Sequence, residues 1–181
     1  MRDFYRKIRC RRQAGFTMAE LMIVIVIIAI LSAIAVPSII NWLPNYRLKS
    51  ATRDLFSNFQ KAKMEAIKRN VTIVLDFVPA NNKYEMFVDD GAGVSGNANN
   101  FTRDSGETLL GTFVMPNDVT LNSASFSGST QKAGFNSRGL PANSRIGNVI
   151  FQNNNSRYYK TSLSSAGNIK LEMSSDGTNW N

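Results

Sequence analysis

Twenty consecutive residues, Leu21 to Ile40, carry no charge, and only Ser32 and Ser38 among them are polar. As a helix such a run rises about 30 Å at ~1.5 Å per residue, the hydrocarbon thickness of a bilayer. The sequence therefore predicts a membrane-inserted helix before it predicts anything else. A secretory signal peptide is the competing reading, but its apolar centre usually spans ~7–15 residues and ends at a small-residue cleavage site. Here Asn41, Trp42, Leu43 and Pro44 follow, and then a basic helical segment. Basic residues crowd the other side of the run, at Arg2, Arg6, Lys7, Arg9, Arg11 and Arg12, and favour a cytoplasmic start with the chain leaving on the opposite face. Trp42 and Tyr46 suit the far interface, where an amphipathic ring can lie between apolar and wet layers. Pro37, inside the run, removes one backbone donor and predicts a bend or local opening, and Pro44 predicts a second bend at the exit.

The formal charge of +8 invites a nucleic-acid reading, but its distribution decides more than its total. Residues 1–15 hold six basic residues against Asp3 alone, so the remaining chain has only 15 basic and 12 acidic residues. The single cysteine, Cys10, sits in the same tail, which rules out an intrachain disulfide and a cysteine-based metal site. Histidine is absent, and with it the commonest metal ligand and the usual general base near neutral pH. Ser137, Ser144 and Asp118 have no persuasive nucleophile motif around them, and Gly91, Gly93 and Gly96 form no phosphate-loop signature. The expectation is a chain without catalytic residues, metal or cofactor. With 181 residues there is room for one modest domain beyond the N-terminal arm.

The junction Arg12-Gln13-Ala14-Gly15-Phe16-Thr17-Met18-Ala19-Glu20-Leu21 joins a short basic leader, a glycine, an aromatic, an acid and the apolar run in fixed order. Glu20 stands at the edge of the uncharged segment, where placing a carboxylate into lipid costs at least ~2.5 kcal/mol, so it needs a partner or must snorkel into headgroups. This junction resembles the processing and methylation motif of type IV prepilins and type II secretion pseudopilins. The resemblance implies removal of residues 1–15 by a prepilin peptidase and N-methyltransferase, which cuts after Gly15 and methylates Phe16. The freed Phe16 amino group of one subunit could then meet Glu20 of a staggered neighbour and set helix register. In the same relatives a proline at the offset of Pro37 marks where the helix loosens on assembly.

Beyond Pro44 the helical pattern continues. Leu48, Ala51, Leu55, Phe59, Ala62 and Ala66 recur at steps of three and four, which predicts one helix from about Phe16 to Asn70 with that stripe laid on a small sheet. Phe56, Phe59 and Met64 are expected as core or shoulder residues of the packed face, Phe56 alternatively facing a neighbouring subunit. The period then changes: Val71–Val78 and Lys83–Val88, separated by Pro79-Ala80-Asn81-Asn82, read as a hairpin. Residues 89–106 are rich in Gly, Asn and Asp and read as an exposed loop; Asp89, Asp90 and Asp104 are hard oxygen donors, but without the ligand spacing of a calcium hand. Short strands are expected at 108–115, 119–121, 124–126, 132–135, 148–152, 158–162 and 168–173, in antiparallel sheets against the helix. The predicted fold class is α+β.

The stretches Phe135-Asn136-Ser137-Arg138-Gly139-Leu140-Pro141, Gly147-Asn148-Val149-Ile150 and Tyr158 to Ser165 with Gly167-Asn168-Ile169-Lys170 resemble the C-terminal domain of the GspH/FimT family of minor pseudopilins and minor pilins. Gly139 and Gly167 are expected in tight turns, and Arg138 either braces its loop or stands in solvent. The resemblance implies a pilin-like fold with leader 1–15, transmembrane assembly helix 16–43 and periplasmic domain 44–181, anchored in the inner membrane and then carried into a pilus or pseudopilus. Implied partners are the lipid bilayer, other minor and major pilins or pseudopilins, and the inner-membrane assembly platform. The alternative is a DNA-binding minor pilin, with Arg157, Lys160 and Lys170 as phosphate contacts. Some DNA-binding relatives carry Gly-Arg-x-Arg where this chain reads Gly167-Asn168-Ile169-Lys170, and the departure weakens that reading.

Overall fold

The computed structural model describes residues 15–93 and 96–181, and the chain divides into two compact units, Met1–Asn41 and Trp42–Asn181. Except for Gly15, the expected leader, with Cys10 and the six basic residues before the cut, lies outside the described residues. Helix α1 spans Met18–Arg69. The bends expected at Pro37 and Pro44 do not interrupt it: both residues are helical, because a proline ring removes only the bonds to the carbonyls of Ala33 and Ile40 and leaves the neighbouring turns to carry the helix. In the first unit every described residue is exposed, Leu21 to Ile40 included.

The second unit is organised by the remainder of α1. Leu48, Ala51, Thr52, Leu55, Phe59, Ala62 and Ala66 are all buried, the six apolar ones being the stripe read from the sequence. Thr52 joins them by donating its hydroxyl to the Leu48 carbonyl at 2.8 Å, which satisfies a polar atom inside the core. Phe59 is core and Phe56 half-buried, but Met64 is 65% exposed. Met64 falls on the face opposite Leu48 and Ala66, and the 3.6-residue period, not its hydrophobicity, decides its place. The helix ends where Asn70 takes a left-handed conformation (φ 57°) and the Val71 amide turns back to the Ala66 carbonyl at 3.2 Å.

Eight strands follow: β1 Thr72–Val78, β2 Lys83–Asp89, β3 Leu109–Val114, β4 Val119–Phe126, β5 Lys132–Phe135, β6 Gly147–Asn153, β7 Tyr158–Leu163 and β8 Ile169–Ser174. They form two four-stranded sheets, ordered β3-β2-β1-β5 and β4-β6-β7-β8, with every pairing antiparallel. The two strands expected at 119–121 and 124–126 are one strand with an irregularity: Leu121 faces Phe151 and Ser123 faces Ile150, so Asn122 is the extra residue of a bulge. Asn82 closes the β1–β2 turn in the left-handed region (φ 50°) and clamps it to β4, receiving the Leu121 amide at 2.7 Å and donating to the Val119 carbonyl at 2.8 Å.

One core serves helix and both sheets. Phe59 of α1 lies 6.1 Å from the rings of Phe77 on β1 and Phe135 on β5, and Phe77 stacks at 5.7 Å on Phe126 of β4. Tyr84 packs between Phe77 and Phe113, and its hydroxyl accepts from Asn58 Nδ2 at 2.8 Å; burial pushes its pKa up to about 12, so it stays neutral.

The loop after β2 is not the simple solvated excursion its composition predicts. Asp89 is 1% exposed, and its carboxylate accepts the amides of Asn99 at 2.7 Å, Asn100 at 3.3 Å and Phe101 at 2.8 Å. Glu107, also buried, accepts those of Gly91 and Asp104 at 3.0 and 2.9 Å. These carboxylates are spent on backbone donors rather than offered to a cation, and no group of three or more metal-ligating side chains occurs among the described residues. The bonds drive Phe101 into a second small core with Val74, Phe87 and Ala142, where the Arg145 guanidinium lies 3.8 Å from its ring centroid.

Leu55→Ala should lose about 2–5 kcal/mol of unfolding free energy and Met64→Ala within about 0.5 kcal/mol, read from denaturant titration of the full chain in detergent. Asp89→Ala should cost about 1–3 kcal/mol and expose residues 96–106 to limited proteolysis ahead of the rest of the domain, because three backbone donors lose their acceptor.

Candidate processing and assembly site

The N-terminal end of α1 is held by a reciprocal cap. Glu20 Oε2 accepts from the Thr17 amide at 2.9 Å and the Thr17 hydroxyl at 3.0 Å, while the Glu20 amide donates to Thr17 Oγ1 at 3.2 Å. This is a capping box, with Thr17 as N-cap and Glu20 three residues on, and it satisfies helix-end donors that have no intrahelical acceptor. Thr17 is the partner within the chain that hydrophobicity alone does not reveal for Glu20, although the Thr-x-x-Glu spacing before an apolar run is itself the signal. The cap engages one carboxylate oxygen; Oε1 has no partner among the described residues.

Phe16 is 90% exposed. A side chain placed on Gly15 would meet nothing within 4 Å among the described residues, so contacts with them give no reason for glycine there. Pro37 is exposed on α1.

The three candidate phosphate contacts divide. Lys160 and Lys170 both reach Glu172, each at 2.7 Å, and these two lysines hold the Glu172 carboxyl below its ordinary pKa. Lys160 also lies 4.4 Å from the ring centroid of Trp180. Arg157 stands apart in the β6–β7 turn, exposed and without an acidic partner among the described residues. Two of the three candidate contacts are therefore engaged by one carboxylate, and the third is not.

The turns carrying the second resemblance meet at one place. Gly139 and Gly167 both have positive φ, 74° and 72°, and a side chain on Gly167 would come within 2.7 Å of the Gly139 carbonyl oxygen. Lys63 of α1 donates to the Gly167 carbonyl at 3.1 Å, tying helix and both sheets together. Arg138, beside them, is exposed.

A family profile described as type II transport protein GspH matches residues 51–167, and one described as the prokaryotic N-terminal methylation motif matches residues 10–36. Comparison with curated protein sequences found no match. Among solved structures, the type IV minor pilin FimU of Pseudomonas aeruginosa aligns over 76% of this chain and 94% of its own, at 18% identity and a TM-score of 0.52. The minor pseudopilin EpsH of the Vibrio cholerae type 2 secretion system aligns over 69% of this chain and 95% of its own, at 10% identity and a TM-score of 0.52. At these identities the likeness is one of fold: a long N-terminal helix on small antiparallel sheets. The profile match covers most of the domain and the motif match covers the junction at Gly15 and Phe16, and the chain therefore belongs to the GspH family of type II transport proteins.

Proposed function

We propose that this chain is a minor subunit of a type II secretion pseudopilus or a type IV pilus, made as a membrane-anchored precursor and then packed by its N-terminal helix among other pilin-like subunits. One observation carries the reading. From Leu21 to Ile40 every residue of an uncharged helix is exposed within the chain, and so large an apolar surface has to be covered by lipid or by other helices. The two similar folds carry the names of a minor pilin and a minor pseudopilin, and both names support the same job.

In this reading a prepilin peptidase and N-methyltransferase removes residues 1–15 and methylates Phe16. The precursor spans the inner membrane once, with the basic leader cytoplasmic and the domain of residues 44–181 periplasmic. An inner-membrane assembly platform then transfers the helix from lipid into a helical bundle, with Pro37 supplying a weakened turn for repacking. The Phe16 ammonium of an incoming subunit reaches the oxygen of Glu20 that the Thr17 cap leaves over. Apolar burial supplies much of the association, and the charge pair selects register. Duplex DNA is the weaker partner, since Glu172 already engages both Lys160 and Lys170 and offsets one of their two charges.

Glu20 now has two roles, and one substitution separates them. Glu20→Gln keeps an oxygen acceptor for the capping box but removes the charge, so it should insert normally yet enter filaments roughly thirty-fold less well than the parent. Thr17→Ala weakens the cap and keeps the carboxylate, and should assemble nearly normally. Pull-down of sheared filaments with quantitative immunoblotting reads both, and equal incorporation of Glu20→Gln and parent would reject the pairing. Mass spectrometry of the assembled subunit should find a methylated N-terminus at Phe16; recovery of an intact leader from filaments would refute processing.

A further inference from the structure

The domain carries a cationic and aromatic rim that its own acids leave unpaired. Trp42, Tyr46, Lys49 and Arg53 recur along α1 at steps of three and four and so share one face. Trp42 and Tyr46 are 58% and 55% exposed, with ring centroids 5.2 Å apart. Lys49 and Arg53 are exposed beside them and have no acidic partner among the described residues. By contrast Arg47, on the other side of the helix, is held by Asp118.

Arg157 is brought to the same end of the domain by a specific contact. Asn153 Nδ2 donates to Asn45 Oδ1 at 2.7 Å, which fastens the β6–β7 turn to the start of the domain's helix. Asn153 closes that turn as well, accepting the Arg157 amide at 2.9 Å through Oδ1 and donating its own amide to the Arg157 carbonyl at 3.0 Å. Arg157 and Asn45 consequently line one pocket. Asn45 follows Ile40 by only five residues of chain, which bounds its separation from the end of the apolar run at about 17 Å by any path.

We propose that Trp42, Tyr46, Lys49 and Arg157 form a docking rim that seats the domain on anionic lipid headgroups before assembly. It rests on the membrane-anchored reading above. A cationic side chain near an anionic leaflet favours contact by about five-fold, and paired aromatic rings suit the headgroup layer. A lipid surface is the occupant the charges select: two or three separated cations are enough on a fluid anionic sheet whose headgroups move to meet them. Affinity for a nucleic-acid backbone instead grows with the number of phosphates neutralised together, and Glu172 already offsets one of the two charges on Lys160 and Lys170.

The full chain, reconstituted into phosphatidylcholine vesicles with or without about one-third phosphatidylglycerol, is treated with a dicarbonyl reagent and arginine modification read by mass spectrometry. Arg157 should label about five-fold more slowly on the anionic vesicles, with protection lost at high salt and reduced in Lys49→Gln. Exposed Arg103 and Arg138, in other loops, should label equally on both. Equal labelling of Arg157 on the two vesicle types would overturn the proposal, as would shielding by added duplex DNA on neutral vesicles with none from phosphatidylglycerol. Alkaline carbonate extraction of the same samples separates the two levels of inference: a chain that washes off defeats the anchoring itself, whereas a retained chain with unshielded Arg157 defeats only the docking.

Discussion

The domain depends on one stripe of α1. Leu48, Leu55 and Phe59 supply bulk, and Ala51, Ala62 and Ala66 let the helix backbone approach the strands closely. Phe59 is the joint: it meets Phe77 and Phe135 of the first sheet, and Phe77 passes the contact on to Phe126 of the second. Two four-stranded antiparallel sheets of this size cannot each bury a face alone. The helix and the two sheets are thus parts of a single hydrophobic cluster, and removing the stripe would uncover both inner faces at once.

Periodicity made most of this legible. The stripe at steps of three and four, the hairpin across Pro79 to Asn82 and the strand β5 were read from the sequence with little error, because apolar spacing is dictated by the same geometry that places side chains on one face. Polar side chains that bond to distant backbone left no such trace. Asp89 looks like any loop aspartate until the amides of Asn99, Asn100 and Phe101 converge on it, and Asn82 looks like an ordinary turn residue until it bonds across to β4. Burial of Phe101 is a consequence of those bonds, since its neighbours are too polar to predict a core position. Met64 shows the converse: hydrophobicity without the right phase stays in solvent. At the candidate site, Gly15, Phe16 and Glu20 were visible as a linear pattern, but the bond from Thr17 changes what Glu20 can be said to lack.

A capped Glu20 alters the physical case for an intermolecular charge pair without removing it. A carboxylate has about four lone-pair sites, and the Thr17 box draws on one oxygen. Glu20 is thus a capping acceptor with one carboxylate oxygen that has no partner among the described residues.

The same accounting applies to the basic residues. Net charge suggested a polyanion partner, but charges act through the groups that remain unpaired at short range. Once Glu172 has taken Lys160 and Lys170, Asp118 has taken Arg47, Glu65 has taken Arg69, Asp76 has taken Lys132 and Glu85 has taken Lys83, the surplus among the described residues is a sparse set spread around α1 and at single loop positions. Sparse cations bind weakly to a rigid polyanion, whose affinity grows with the number of phosphates neutralised together. A membrane tether changes that arithmetic, because it holds the domain at high effective concentration over headgroups and lets even two weak contacts persist. What this domain can hold electrostatically is therefore set less by its total charge than by the anchor that keeps it at a surface.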